Sequence, residues 1–269
     1  MRFEKWQALG NDYLIVEASS RARPLMPADI TRLCDRHAGP GADGVLELSA
    51  PEHGEAVARL RIFNPDGSEA ELSGNGARQA ILYLRHRGWT DQDAFAVDTA
   101  AGPIRATILS PTTCRIAMGR ARLRSLDYPD GPADGAGEVG GRRFQHVQVG
   151  NPQCTIRVAD LPALAALDLA ALGPPIEHDS RFPNRTNVSF WCATAPDAVR
   201  ARIFERGVGE TSASGTGACG AAVAHVLAGG RAPVTVALDG GELEVAVSAQ
   251  LDLALTGWAV AVYEGRLLP

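Results

Sequence analysis

The sequence predicts a mixed α/β protein built from two copies of one unit, and three observations support this fold class. The loop SGNGAR at Ser73 returns as SGTGAC at Ser214, a separation of 214 − 73 = 141 residues. The run Arg-Ile-Phe precedes both loops at the same distance, starting at Arg61 and at Arg202. A helical pattern follows each loop, and an alternating hairpin pattern follows each helix.

The elements of the first copy can be assigned in order along the chain. A strand-like run precedes Gly10-Asn11, and a second strand ends at Phe63. The Ser73 loop then leads into the helical pattern QAILYLRHRG. The alternating run AFAVDTAAGPIRATIL, with a glycine turn in its middle, predicts a hairpin that completes the copy.

The second copy repeats this order. Gly150-Asn151 follows a strand-like run, and the Ser214 loop leads into the helical pattern GAAVAHVLAGG. The run VTVALDGGELEVAV predicts the second hairpin. The segment between the copies, from Ser125 to Gly141, is rich in Gly, Pro and Asp and predicts an exposed linker.

Composition excludes several classes of protein. A chain of 269 residues suits two modest domains or one large one, and its net charge of −5 offers no basic surface for nucleic acid. No apolar run approaches the roughly 20 residues that span a membrane. The five cysteines lack paired spacing, and the six histidines, which include His53, lack the HExxH pattern. We therefore expect no disulfide framework, no metal site and a cytoplasmic location.

Lys5 is the only lysine in the chain, and this scarcity also carries information. It lies at the start of the first predicted strand. Pyridoxal phosphate enzymes need a positioned lysine for the Schiff base, and Walker-type phosphate loops need a lysine as well. The sequence therefore predicts chemistry without pyridoxal phosphate and without a Walker loop.

The duplicated loops predict an anion-binding site. Glycines let the backbone approach a ligand closely, and the helix that follows presents free N–H groups to a carboxylate or phosphate. Since ligands favour domain interfaces, we expect both loops to face one cleft. The alternative is that Ser73 and Ser214 act only as helix N-caps. The run from Gly215 to Gly220 also fits GxGxxG, but the preceding strand ends about ten residues earlier and a hairpin follows, which disfavours a dinucleotide site.

Five separated blocks resemble the signature motifs of the diaminopimelate epimerase family. They occur in the family's order and spacing and cover nearly the whole chain. The blocks are LGNDY (Leu9–Tyr13), RIFNPDGSEAELSGNGAR (Arg61–Arg78), GNPQC (Gly150–Cys154), NRTNVSF (Asn184–Phe190) and IFERGVGETSASGTGA (Ile203–Ala218).

This resemblance implies an architecture and a set of partners. The family has two similar α/β domains, each a β-barrel-like sheet around a central helix, with the active site in the cleft. Here the first domain would comprise residues 1–118 and 258–269, and the second residues 119–257. The resemblance also implies a homodimer and a small amino acid substrate, with no nucleic acid or membrane partner.

The resemblance further implies a cofactor-free, two-base inversion at an amino acid α-carbon. One base removes the α-proton, and the conjugate acid of the other delivers a proton to the opposite face. The family's reaction converts LL- to meso-diaminopimelate for lysine and cell-wall precursor synthesis. The helix N-termini would hold the substrate carboxylate and stabilise the carbanion.

The resemblance carries the family's functional positions onto this chain. The matching catalytic positions are Ser73, Ser214, Glu205 and Gln153. The matching substrate-binding positions are Asn11, Asn64, Gly74, Asn75, Asn151, Asn187, Glu205, Arg206, Gly215 and Thr216.

Each expected role has a simpler alternative. Arg206 would bind the distal carboxylate of a diamino diacid through two N–H groups, with Asn64 and Asn187 beside it. Alternatively, the Asn64 segment forms an ordinary β-turn, and Glu205-Arg206 is an exposed pair at a strand end. Asn11 could likewise belong to a turn.

The chain departs from the family pattern at the proton-transfer positions. Ser73 and Ser214 replace two cysteines, Gln153 replaces a histidine, and Gly44 replaces a glutamine, whereas Glu205 is retained. A serine hydroxyl is a far weaker acid than a thiol, so it needs a neighbouring base. Three hypotheses follow: an epimerase for diaminopimelate or a close relative, a related isomerase or dehydratase of another small amino acid, and a catalytically silent amino-acid-binding protein.

Overall fold

The computed structural model describes residues 1–51 and 54–268, so His53 and the last residue of the expected first domain, Pro269, lie outside the described residues. The chain forms two compact units. The first unit comprises Met1–Ala117 and Thr256–Pro269, and the second comprises Met118–Leu255.

The described residues form 18 strands, five α-helices and one short 3-10 helix. The strands are β1 (Arg2–Ala8), β2 (Asn11–Glu17), β3 (Val45–Ser49), β4 (Ala56–Phe63), β5 (Glu69–Ala70), β6 (Ala94–Thr99), β7 (Gly102–Ser110), β8 (Thr113–Arg120), β9 (Ala136–Val139), β10 (Arg142–Val149), β11 (Asn151–Arg157), β12 (Asn187–Ala195), β13 (Ala198–Glu205), β14 (Gly209–Thr211), β15 (Val234–Leu238), β16 (Gly241–Val247), β17 (Asp252–Trp258) and β18 (Val260–Arg266). The helices are α1 (Pro27–Cys34), α2 (Gly74–His86), α3 (Leu161–Ala165), α4 (Leu169–Glu177) and α5 (Gly215–Leu227), and the 3-10 helix is Ala18–Ser20.

The two units repeat one pattern of strand pairing. In the first unit β1 pairs antiparallel with β18 and β2, β2 runs parallel to β3, and β4 pairs antiparallel with β3 and β5 and parallel with β6. In the second unit β10 to β15 repeat these relations, and β9 takes the place of β18. The hairpins β6–β7 and β15–β16 form where the alternating sequences predict them.

Each unit wraps its sheet around one central helix, in agreement with the expected fold class. Helix α2 packs against β1, β2, β3, β4 and β18, and its residues from Gly74 to Leu84 are all buried. Helix α5 packs against β10, β11, β12, β13, β15 and β16, and its residues from Gly215 to His225 are buried. A helix that is buried on every side must be small or apolar all round, which explains the Ala- and Gly-rich sequence of α5.

The second glycine of each loop is needed for this packing. A Cβ atom at Gly217 would lie 2.6 Å from Cδ1 of Ile203 on β13, and a Cβ at Gly76 would lie 3.1 Å from Cδ2 of Leu46 on β3. The glycines therefore let the first turn of each helix approach its own sheet. The sequence had suggested only close approach to a ligand.

The shorter helices cover the outer side of the sheets. Helix α1 contributes Ile30 and Leu33 to a cluster with Leu14 and Val45 in the first unit. In the second unit α3 and α4 pack on a cluster centred on aromatic residues, including Tyr128, Phe144, Phe182 and Phe190. Burial of these apolar side chains supplies the main stabilisation of each unit.

Two sequence-based expectations were wrong in detail. The segment from Ser125 to Gly141 is not wholly an exposed linker, because β9 pairs with β10 within it and Tyr128 is buried. The short strand β14 precedes the Gly215 loop, and β13 pairs in parallel with β15, whereas the sequence predicted neither feature. The β9–β10 and β13–β14 pairs are tight local hairpins, whereas the β13–β15 pair joins residues more than 30 positions apart.

No helix among residues 1–51 and 54–268 is both long enough and apolar enough to cross a membrane.

Candidate active site

Ser73 and Ser214 both cap the central helix of their unit. The Ser73 carbonyl accepts the N–H of Ala77 at 2.8 Å, and the Ser214 carbonyl accepts the N–H of Ala218 at 2.9 Å. Their backbone is extended, as an N-cap requires, and each side-chain oxygen accepts a further N–H from the first turn. The N-cap interpretation is therefore correct as a description of local structure, and the remaining question is what else surrounds each serine.

In the first unit the Ser73 Oγ accepts two hydrogen bonds. The N–H of Gly76 lies 3.0 Å away, and the hydroxyl of Tyr13 on β2 donates at 3.3 Å. Tyr13 is only 7% exposed. Both donors, together with the positive end of the α2 dipole, stabilise negative charge on this oxygen.

In the second unit the Ser214 Oγ has a carboxylate partner. It donates to Oε2 of Glu205 at 3.0 Å and accepts the N–H of Gly217 at 3.3 Å. The other oxygen of Glu205 accepts the hydroxyl of Thr211 at 2.8 Å. The hairpin β13–β14 places these groups together, since Glu205 ends one strand and Thr211 ends the other.

Burial raises the pKa of Glu205 above its ordinary value, while the hydrogen bonds from Thr211 and Ser214 oppose the shift. A carboxylate with a raised pKa binds a proton more tightly, so it is a stronger base once it is ionised. The alternative that Glu205 is an exposed partner of Arg206 is therefore wrong. The partners of its two oxygens are the hydroxyls of Thr211 and Ser214.

Asn187 and Arg206 lie together in the second unit. The backbone N–H of Arg206 donates to Oδ1 of Asn187 at 2.8 Å, and its guanidinium donates to the Asn184 carbonyl at 2.8 Å. Asn187 is 3% exposed, and its Nδ2 is buried with no partner among the described residues. A buried amide donor without a partner is costly, so a ligand oxygen would stabilise this site.

Gln153 and Asn151 form a second polar pair in this unit. Nε2 of Gln153 donates to Oδ1 of Asn151 at 2.6 Å. The side chain of Gln153 is fully buried, and its Oε1 has no partner within the described part of the chain. Gln153 lies directly beside Asn187 in the register of β11 and β12. Oε1 of Gln153 is therefore an unpaired acceptor next to the unpaired donor Nδ2 of Asn187, among the described residues.

The remaining predicted residues of the first unit are engaged in local structure. Nδ2 of Asn11 donates to Asp43 at 2.9 Å, and Nδ2 of Asn64 donates to Ser68 at 3.0 Å within a turn. Oδ1 of Asn75 accepts from Arg78 at 2.7 Å. For residues 1–51 and 54–268, no hydrogen bond joins Ser73 to Asn11 or to Asn64.

Ser73 accepts hydrogen bonds from the amides of Gly76 and Ala77, and Ser214 accepts hydrogen bonds from those of Gly217 and Ala218. The amides of Gly74, Asn75, Gly215 and Thr216 take no part in them.

Sequence reasoning missed two residues of the site. They are Tyr13, in the LGNDY block, and Thr211, in the short strand β14. Thr211 could have been found from its position six residues after Glu205 in a tight hairpin. Within the ranges 1–51 and 54–268, no group of three His, Cys, Asp or Glu side chains is arranged to share a metal ion.

Solved structures with this architecture are known. A phenazine biosynthesis protein of the PhzF family from Bacillus anthracis matches with a TM-score of 0.70 and 18% identity, over 100% of this chain and 99% of its own. A probable proline racemase from Agrobacterium radiobacter matches with a TM-score of 0.69 and 17% identity, over 99% and 92% of the two chains. At this level of identity the likeness establishes the fold alone.

Sequence comparison establishes the family. The model of the diaminopimelate epimerase family matches residues 3–124 and 145–263. The diaminopimelate epimerase of a Cyanothece species is 39% identical over 282 residues, covering 99% of both chains, and that of Desulforudis audaxviator is 44% identical over 255 residues, covering 90% of both. The chain belongs to the diaminopimelate epimerase family. Membership in this family supports its assignment as an isomerase of the epimerase type.

Proposed function

We propose that the protein inverts the α-carbon of diaminopimelate or a close relative without a cofactor, using Ser73 and Ser214 as its acid–base pair. The observation that carries the proposal is the hydrogen bond from Ser214 to the partly buried carboxylate of Glu205. A serine hydroxyl alone is too weakly acidic to supply an alkoxide at neutral pH. Glu205 provides a neighbouring base, with a pKa raised by burial, that can take the Ser214 proton.

The proton moves in two linked steps at this site. Ser214 Oγ accepts the substrate α-proton while its own proton passes to Glu205. The amides of Gly215 and Thr216, at the positive end of the α5 dipole, hold the substrate carboxylate and stabilise the charge that develops on it. Gly74 and Asn75 have the same proposed role in the first unit.

Substrate recognition rests on the unused polar atoms of the second unit. Nδ2 of Asn187 and the guanidinium of Arg206 suit the distal carboxylate of a diamino diacid, because both are donors. Oε1 of Gln153, held in place by Asn151, suits an ammonium group. Asn11 and Asn64 remain part of the proposed binding set through their side-chain carbonyl oxygens.

Proton nuclear magnetic resonance in D₂O tests the reaction. The protein is expected to exchange the α-proton of LL- and of meso-diaminopimelate, and chiral chromatography should show interconversion of the two. Absence of exchange with both would overturn the proposal. Calorimetry tests the distal clamp, since alanine should bind far more weakly than diaminopimelate, and equal binding would contradict the roles of Asn187 and Arg206.

A second candidate function is an isomerase or dehydratase that moves one proton of another small amino acid. The observation that favours it is the single carboxylate, because Ser214 contacts Glu205 whereas the described contacts of Ser73 are Tyr13 and Gly76. Exchange at the α-carbon without formation of the other epimer, together with loss of water or migration of a double bond, would favour this function.

We further propose a cytoplasmic homodimer that acts in lysine and cell-wall precursor synthesis, in which the two compact units are the two domains. The five cysteines are free and buried, as suits a reducing compartment. Strand β18 exposes Val262 and Tyr263, which are 53% and 42% accessible and would suit a subunit interface. Sedimentation of the wild type and of Val262→Asp tests this assembly, since a monomeric wild type would contradict it.

A further inference from the structure

The hydrogen bonds of the two serines have opposite directions. A hydroxyl oxygen has two acceptor lone pairs and one O–H donor. Ser73 Oγ uses both lone pairs, one for Tyr13 and one for the Gly76 amide, so its O–H is left to act as a donor. Ser214 Oγ uses its O–H for Glu205 and one lone pair for Gly217, so one lone pair is left to accept.

This difference gives each serine one preferred role. To accept a proton, Ser73 would first have to give up one of its two hydrogen bonds. When it gives up a proton, both bonds persist and strengthen, since they then point at an anion. Ser214 can accept a proton without losing a partner, because its own proton passes to the carboxylate.

The position of Tyr13 depends on the absence of a side chain at Gly44. A Cβ atom at Gly44 would lie 2.5 Å from Cε1 of Tyr13 and 2.5 Å from the carbonyl oxygen of Phe63. No positive φ is recorded at this glycine, so space rather than backbone conformation requires it. Gly44, where the family resemblance places a glutamine, is therefore linked to the contact between Tyr13 and Ser73.

We propose that Tyr13 is a positioning residue that makes Ser73 the proton donor of the reaction, and that Gly44 is the space that admits its ring. For the epimer whose α-proton faces Ser214, Ser214 and Glu205 take that proton, and Ser73 and Tyr13 return one. The other epimer reacts along the reverse path, in which Ser73 takes the α-proton as its own proton passes to the Tyr13 phenolate. This inference rests on the proposed function.

The proton transfers in this proposed reaction balance. The α-proton goes to Ser214 as the Ser214 proton goes to Glu205. The carbanion then takes the Ser73 proton, and the Tyr13 hydroxyl proton replaces it on Ser73. One turnover leaves a protonated Glu205 and a Tyr13 phenolate, and exchange with water, which accepts one proton and supplies the other, restores both groups.

The experiment compares inversion with solvent exchange for each epimer separately. Wild type should invert and exchange both epimers. Tyr13→Phe keeps the ring but removes the donor, so inversion should fall by about 10²-fold or more. It should still exchange the α-hydrogen of one epimer, the one presented to Ser214, and should not exchange that of the other.

Two further variants sharpen the result. Gly44→Ala should give the same pattern, since its Cβ displaces the Tyr13 ring. Tyr83→Phe is the matched control, because it also removes a hydrogen-bonded, buried phenol of the first unit, one that donates to Glu17 instead, and it should behave as wild type.

The outcomes are distinct. Unchanged inversion by Tyr13→Phe, or a parallel loss of inversion and of exchange for both epimers, would overturn the role of Tyr13 and leave the proposed function in place. Wild-type protein that exchanges neither epimer would overturn the proposed function, and this inference with it.

Discussion

Ser73 and Ser214 begin helices of 13 residues each, with φ of −134° at both and ψ of 119° and 124°. The surroundings of the two side chains differ far more than the backbone does. Position 64, which corresponds to Glu205 in the duplication (205 − 141 = 64), is an asparagine that bonds Ser68 in its own turn. The first unit therefore has the same backbone conformation at the helix start as the second unit, but it lacks the carboxylate.

The side chains at corresponding positions of β2 and β11 differ as well. Tyr13 and Gln153 correspond at the offset of 140 that relates Gly10 to Gly150 (153 − 13 = 140). Tyr13 donates to the serine of its own unit, whereas Gln153 bonds Asn151. The duplication has thus preserved the serine-capped helix N-terminus in both copies, while the side chains beside the two serines differ.

Glu205→Gln tests this difference most severely. Gln cannot serve as a base for Ser214, so α-proton exchange should fall by about 10²- to 10⁴-fold. In wild type the base must be ionised, and its pKa is raised by burial. Exchange should therefore rise with pH through a value above the ordinary pKa of a glutamate and be lost below it.

The control for this variant is Glu210→Gln on β14, which removes a rim carboxylate that pairs with Arg202 at 2.7 Å. This variant should exchange protons at the wild-type rate. Equal losses in the two variants would show that charge in the hairpin, rather than the base beside Ser214, controls the rate.

Gly217→Ala and Gly76→Ala compare the packing of the two loops. The added methyl group meets fully buried Ile203 at 2.6 Å in the second unit, so we expect a loss of about 1–2 kcal/mol in unfolding free energy. At Gly76 the contact with Leu46 is 3.1 Å, and a gain in helix propensity of about 1 kcal/mol should offset it. Urea denaturation measures both, and Ile203→Val should partly rescue Gly217→Ala, because it removes the atom that the new methyl group meets. Equal losses at the two glycines would contradict the difference in packing.

Ser→Cys substitutions test whether the serines carry the proton transfer. A thiol ionises near pH 8.5 and lower at a helix N-terminus, so Ser214→Cys should raise α-proton exchange by about tenfold at neutral pH. Ser73→Cys should gain less, because the described contacts of Ser73 are Tyr13 and Gly76 and include no carboxylate. If the two single variants and the double variant show no gain in exchange measured by nuclear magnetic resonance, the site performs other chemistry.

Much of this architecture could be predicted from the sequence because its signals are local. The serine caps, the glycine-containing hairpins and the alternating strands each depend on residues within one turn or one strand. The duplication also allowed each element of the first copy to be matched with its counterpart in the second copy. Glu205 and Ser214 are nine residues apart in a hairpin that leads into a helix, so their contact also follows from near neighbours.

The contact of Tyr13 with Ser73 could not be predicted in this way. The two residues are 60 positions apart, and their meeting depends on the packing of β2 beneath the start of α2. It also depends on the absence of a side chain at Gly44, which the periodicity of the sequence does not reveal. The strand β9 escaped prediction for a different reason, because it forms a local hairpin with β10 within a segment whose composition is typical of loops.

The smallest expected effect separates the two caps by their pH dependence. Ser73→Ala should cost about 1 kcal/mol of unfolding free energy through loss of the cap, with little change between pH 5 and 8. Ser214→Ala loses the same cap and also one donor to Glu205, which lowers the pKa of that carboxyl. A bond that lowers a carboxyl pKa stabilises the ionised form, so its contribution is present above the pKa of Glu205 and is lost as the pH falls through it. The loss caused by Ser214→Ala should therefore exceed that of Ser73→Ala at neutral pH and approach it in acid. Urea titrations of the two variants across this range measure the difference, and parallel pH profiles would show that Glu205 does not distinguish the second loop from the first.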